Sequence, residues 1–195
     1  MDIEELLYNA DVSRCEGEYD EAISLYQRAA ALAGDNKDFK YKYETRIYRQ
    51  LCFCYRKIDK IDDAILFGQK SVRCAQNYCM KCNQDKESRI MLAKCYMNLG
   101  VVYDENKRYT DAVEYYQLGI EIFKEYDKDP VTKNSYINAL LTMGTAMYQL
   151  ERFDDSQVYF QYITNFLQND EEDGRYNYAI KYINMIQQKK GERIQ

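Results

Sequence analysis

The stretch Tyr96-x-x-Leu99-Gly100-x-x-Tyr103, followed by Ala112-x-x-x-Tyr116, decides the fold of this chain. Its apolar and small residues recur every three or four positions, the period at which side chains share one face of an α-helix. Working outward, the same internal distance returns three more times. Ser13 to Ala22, Tyr55 to Ala64, Tyr103 to Ala112 and Met147 to Ser156 are each nine residues apart. That constancy indicates one helical hairpin used four times.

The turns share their chemistry as well. They read Gly17-Glu18-Tyr19-Asp20-Glu21-Ala22, Lys60-Ile61-Asp62-Asp63-Ala64, Arg108-Tyr109-Thr110-Asp111-Ala112 and Arg152-Phe153-Asp154-Asp155-Ser156. An aromatic or Ile plugs each hairpin. An Asp or Thr beside it is placed to cap the second helix, accepting from N–H groups that the first turn leaves unpaired. The small residue at 22, 64, 112 and 156 lets the two helices approach closely.

From hairpin to hairpin the small residues are 42, 48 and 44 residues apart. Two additional helical turns use roughly seven residues, so longer helices absorb most of this length. The pattern predicts helices near 3–15, 19–33, 38–57, 61–80, 87–105, 109–126, 130–149 and 153–168. Pro130 after Asp129 suits the first turn of the seventh, where a missing N–H costs nothing. A ninth helix over 174–189 follows Asp170-Glu171-Glu172-Asp173, whose negative charge favours a helix N-terminus. Ile180, Ile183 and Ile186 give it one apolar side; Lys181, Gln187, Lys189 and Lys190 give it a wet one. The expected architecture is all-α: four hairpins (3–36, 45–80, 93–126, 137–168) and a capping helix, in one domain over 1–195.

Composition agrees. One proline, eight glycines and no tryptophan in 195 residues leave little loop punctuation. No apolar run nears the roughly 20 residues that span a bilayer, and the acidic start Met1-Asp2-Ile3-Glu4-Glu5 lacks a signal-peptide profile. Seven cysteines cannot all pair internally, and Cys52 and Cys54 fall inside a helical pattern. Together these features point to reduced thiols and a cytoplasmic location, without membrane insertion. The net charge of −5 is unevenly spread. Residues 1–36 carry 2 positive and 9 negative side chains, residues 37–95 carry 14 and 7, and residues 96–195 carry 11 and 16. An overall acidic balance argues against nucleic acid, while the basic middle leaves room for an acidic partner.

Little here supports catalysis. There is no histidine, the commonest general base, and the glycines are too scattered for a phosphate loop. Asp62-Asp63 and Asp154-Asp155 recur at one hairpin position, which favours capping over paired acid–base carboxylates. Cys74, Cys79, Cys82 and Cys95 have the spacing C-x4-C-x2-C-x12-C, unlike the two separated CxxC pairs of a zinc ribbon. Packed thiols are the better reading, and no cofactor is expected. Tyr26, Tyr48, Tyr55, Tyr96, Tyr103, Tyr109 and Tyr116 fall on packing positions, where a ring is buried and its hydroxyl reaches the edge. Tyr41, Tyr43, Tyr78 and Tyr126 lie off the motif and are expected at the surface.

The aromatic, Leu-Gly, Tyr, Ala and aromatic order of residues 96–116 resembles the tetratricopeptide repeat (TPR). The resemblance covers about 165 residues, departing at Asn9 and Ser13, at Gly68, and at Met147 and Ser156. The usual TPR period is about 34, so the longer spacing is similar to two long-period subgroups, the Pins-type adaptors and the peptide-pheromone receptors of Gram-positive bacteria. The resemblance implies an α-α superhelix (TPR solenoid) whose first helices line a concave groove. Those positions are Glu4, Leu7, Tyr8 and Asp11; Arg46, Arg49, Gln50, Phe53, Arg56 and Lys57; Lys94, Met97, Asn98, Val101 and Glu105; and Asn138, Leu141, Thr142 and Thr145. Arg46/Gln50, Lys94/Asn98 and Asn138/Thr142 recur as i, i+4 pairs, an amide for a peptide backbone beside a cation for a carboxylate. A carboxylate clamp fits poorly, because Leu7 and Asp11 stand where it needs Lys and Asn.

The reading is a non-catalytic protein–protein interaction adaptor. It binds an acidic, extended or helical partner segment through Arg46, Arg49, Gln50, Phe53, Arg56, Lys94, Met97 and Asn98. The alternatives are a peptide or small-ligand sensor of the pheromone-receptor type and a structural subunit of a larger assembly, the chain being a monomer or part of a complex.

Overall fold

A computed structural model describes residues 2–33, 40–168 and 172–194. Residues 34–39, which hold the end of the first expected repeat and the start of the expected third helix, lie outside the described residues, as do Asp170 and Glu171. Among the described residues the structure is helical throughout, in two compact units, 1–106 and 107–195.

The first unit holds α1 (Ile3–Glu16), α2 (Tyr19–Ala33), α3 (Lys40–Lys57), α4 (Ile61–Lys81) and α5 (Lys86–Glu105). Each helix packs on the next, and α3 also touches α5. On α3, Ile47, Leu51, Cys54 and Tyr55 recur at helical spacing and are buried, which turns the cationic positions between them outward. The second unit holds α6 (Tyr109–Lys124), α7 (Pro130–Gln149), α8 (Phe153–Phe166) and α9 (Gly174–Ile194), again packed in sequence. Tyr26, Tyr55, Tyr96, Tyr103 and Tyr116 are core residues, while Tyr48 and Tyr109 are only half-buried.

The turns are built differently from the sequence expectation. The N-cap residues of α4, α6 and α8 are Lys60, Arg108 and Arg152, and none makes a side-chain cap bond. The acids expected to cap sit two or three residues later, within the first turn. There they favour the N-terminal end of the helix dipole, and Asp111 and Asp155 pair with Arg108 (2.6 Å) and Arg152 (2.7 Å). Side-chain caps form elsewhere, at Asp2, Asp85 and Asp129. Pro130 stands in the first turn of α7, as its sequence suggests.

Each hairpin instead turns through a left-handed residue five positions before its small residue: Gly17 (φ 87°), Asp59 (60°), Lys107 (59°) and Glu151 (57°). The residue after it returns a long backbone bond, Glu18 N to Ser13 O (2.8 Å), Lys60 N to Tyr55 O (2.9 Å) and Arg152 N to Met147 O (2.9 Å). Only the first turn has the glycine that adopts this conformation without strain.

At the C-terminus α9 runs to Ile194 instead of ending near 189, with Glu192 held by Gln188 (3.3 Å) and Lys189 (3.0 Å). Its inner face is Ala179, Tyr182 and Ile186. Ile180, expected to be buried, is exposed because it stands about 100° around the helix from Ala179. The Tyr182 ring stacks on Phe160 at 4.8 Å.

Candidate functional site

In the first unit, one face of each odd-numbered helix opens onto a shared cavity of about 760 Å³. α1 contributes Glu4; α3 contributes Lys42, Tyr43, Arg46 and Arg49; α5 contributes Lys86, Glu87, Ile90, Met91 and Lys94. Residues 42, 46 and 49, and residues 86, 90 and 94, lie at i, i+4 and about i+7, so one row of each helix faces the opening. Five cations meet two carboxylates here.

The carboxylates are held internally. Lys42 pairs with Glu87 across α3 and α5 at 3.0 Å, and the Tyr43 hydroxyl donates to Glu4 Oε1 at 2.6 Å. That bond to a carboxylate pushes the Tyr43 phenol above its ordinary range. Arg46 donates to Asp11 Oδ2 at 2.7 Å, Gln50 donates to Asp11 Oδ1 at 3.3 Å, and the Tyr26 hydroxyl donates to the same oxygen. Burial would raise the Asp11 carboxyl, but the Tyr26 and Arg46 donors outweigh it and hold it below its usual value. Arg49 and Lys94 have no ion-pair partner among the described residues.

Of the eight residues chosen from sequence, Arg46, Arg49 and Lys94 line this cavity. Gln50, Phe53, Arg56, Met97 and Asn98 do not. Phe53 is instead half-buried, with the edge of Tyr19 at 6.3 Å and the cations of Arg14, Arg56 and Lys57 at 5.6, 5.1 and 5.6 Å from its centroid. Arg56 pairs with Glu105. Leu7, read as a groove residue, is fully buried, because its side of α1 faces the core rather than the opening. Lys42, Tyr43, Lys86, Glu87, Ile90 and Met91 escaped the sequence reading. Stepping back three or four residues from Arg46 and Lys94 along the helical period would have found Lys42, Tyr43, Ile90 and Met91.

The fourth-repeat positions belong to the second unit and are partly covered. Arg175 of α9 donates to Asn134 Oδ1 at 3.1 Å and to Asn138 Oδ1 at 3.5 Å. Leu141, Thr142 and Thr145 line a smaller cavity of about 240 Å³ with Gly174, Arg175 and Tyr178. The Thr142 and Thr145 hydroxyls are bonded to carbonyls of their own helix.

The four cysteines weighed as metal ligands do not converge; among the described residues no three candidate ligands share a metal-sized space. Burial pushes the Cys74 thiol up to about 12 and Cys95 to about 11, and Cys74 lies 3.6 Å from Glu44 Oε2. Cys79 is buried and Cys82 half-buried beside the α4–α5 turn. With their thiols raised, Cys74 and Cys95 are poor sources of the thiolate that binds metal or does redox chemistry. No described helix is long and apolar enough to cross a membrane.

Residues 93–126 match the tetratricopeptide repeat model, and residues 10–38 match a second tetratricopeptide repeat model, covering the hairpin whose sequence departs most from the motif. These two stretches carry tetratricopeptide repeats, helical hairpins that stack each on its neighbour. Comparison with curated proteins finds no match.

Solved structures share the fold. BtubC (BKLC) from P. vanneervenii is 19% identical with a TM-score of 0.78, over 97% of this chain and 73% of that one. A Podosopora anserina protein of nearly identical TPR-like repeats is 13% identical with a TM-score of 0.77, over 98% and 88%. The Rap conjugation gene regulator of plasmid pLS20, solved in complex with the Phr* peptide, is 14% identical with a TM-score of 0.63, over 91% of this chain and 50% of that one. At these identities the likeness is one of fold.

Proposed function

We propose that this chain is a non-catalytic, cytoplasmic adaptor whose first unit binds an acidic segment of a partner protein. The observation that carries the reading is the cation-rich cavity across α1, α3 and α5, where Arg49 and Lys94 stand without carboxylate partners beside the internally paired Lys42 and Arg46. Such an excess of one sign attracts the opposite sign and selects against basic segments. Of the residues chosen from sequence, Arg46, Arg49 and Lys94 form the contact set. Gln50, Phe53, Arg56, Met97 and Asn98 are its extension along the same helices.

The test is the double reversal Arg49→Glu with Lys94→Glu. Affinity purification from the native cell, read by mass spectrometry, is expected to lose the partner while the helical circular dichroism is kept. Undiminished capture by the folded double variant would remove the proposal.

A free-peptide sensor is the second reading. It is favoured by a cavity of about 760 Å³ and by the peptide bound to the structurally similar Rap regulator. A thermal shift with short peptides, without any stable protein partner, would favour that reading over the adaptor.

A further inference from the structure

The cavity is not uniformly polar. Ile90 and Met91 of α5, with the ring of Tyr43 on α3, form an apolar shelf inside it, one helical turn from Lys94. Both Ile90 and Met91 are half-buried, so apolar surface remains open to a ligand. The two carboxylates lie toward this end, Glu87 held by Lys42 and Glu4 by Tyr43, whereas Arg49 and Lys94 leave their end open to an anion.

Magnitudes decide what such a site can hold. An exposed ion pair contributes at most about 1 kcal/mol and weakens with salt. A purely acidic tract laid on Arg49 and Lys94 would therefore gain little. Burying one large apolar side chain contributes roughly 1.5–3 kcal/mol and is not screened by salt. In a site of this composition, cations favour which segment enters, and the apolar lining can supply most of the energy that holds it.

We infer that the ligand of this cavity is a short mixed segment, with a large apolar side chain seated on Tyr43, Ile90 and Met91 and an Asp or Glu beside it on Arg49 and Lys94. This inference rests on the groove reading above and adds a requirement to it: acidity alone is not enough.

The experiment selects displayed random octapeptides on the full chain, followed by calorimetry of the enriched peptides. Enrichment is expected for peptides carrying both an acid and a large apolar residue. Replacing that apolar residue by Ser should weaken binding about tenfold or more, equally at low and high salt. Replacing the acid should weaken it less, by an amount that shrinks as salt rises.

Selection on Ile90→Ser/Met91→Ser should keep acids and lose the apolar preference; selection on Lys94→Glu should do the reverse. If the double variant fails to fold by circular dichroism, Met91→Gln alone serves. Enriched peptides that are acidic without an apolar preference would overturn this inference and leave the groove reading standing. An absence of acidic enrichment would overturn both. A dimer in light scattering that Lys94→Glu disperses would show a second copy of this chain in the cavity, and would overturn it equally.

Discussion

Hairpin two of the first unit and hairpin four of the second descend from one pattern but solve it differently. The residue four positions after the small residue is Gly68 in one and Phe160 in the other; three before the second motif position stand Cys52 and Gly144. A Cβ on Gly144 would lie 2.9 Å from the Phe160 ring, and one on Gly68 would lie 3.3 Å from Cys52 Sγ and 2.8 Å from Leu99 Cδ1. The bulk has changed sides: ring against glycine in hairpin four, thiol against glycine in hairpin two. Close-packed interiors require such complementary volumes, and tolerate which helix supplies them. The outer faces differ too. α3 presents Lys42, Arg46 and Arg49 to a cavity, whereas α7 presents Asn134 and Asn138 to Arg175 of the chain's own last helix. One unit keeps an open, charged face, and the other covers its face with α9.

The largest test of this contrast is Phe160→Ala. The ring is fully buried, fills the space over Gly144 and stacks on Tyr182, so its loss should cost about 3–5 kcal/mol in denaturant unfolding. Proteolysis should then expose α9 and the rest of the second unit before the first. Equal susceptibility of both units would break the comparison.

Next comes Gly68→Phe, which places the hairpin-four ring in hairpin two and should destabilise by about 1–3 kcal/mol through overpacking. Combined with Cys52→Gly it should show a favourable coupling of about 1 kcal/mol in a double-mutant cycle. Additive losses would mean that Leu99, not Cys52, sets the fit.

Asp11→Asn separates the units by pH. The folded Asp11 carboxyl has a depressed pKa, so its contribution is complete above the unfolded value of about 3.9 and fades as pH falls through the lower folded value. The substitution should cost about 1–2 kcal/mol near neutrality, since hydrogen bonds to charged groups are the stronger kind. It should also flatten the acid limb of the first unit's stability profile. In the second unit Asp173, held to about 2 by its hydrogen bonds from Arg175, should keep its own acid limb.

The smallest expected effects are at the turns. Gly17→Ala should destabilise, and Asp59→Gly and Glu151→Gly should stabilise, each by about 1 kcal/mol or less, because all three backbones are left-handed. Shifts in melting temperature of opposite sign at these matched positions would sharpen the view that the four turns are one structure. Like signs would break it.

Much of this was legible along the chain. Helical period and turn length are local properties, so a constant nine-residue interval was enough to define four hairpins, and Asp129-Pro130 marked the start of α7. Counting along the motif put Arg46, Arg49 and Lys94 on the first-helix face of their hairpins, and all three line one cavity. What pairs across helices was not legible. Arg46 meets Asp11 from 35 residues away, Arg56 meets Glu105 from 49, and nothing local marks Asp59 or Glu151 as left-handed. Sequence by itself determined the repeat, because short-range periodicity encodes it. Tertiary structure alone decided which cations lack partners, which volumes trade places and which face α9 covers, because each depends on side chains brought together only by packing.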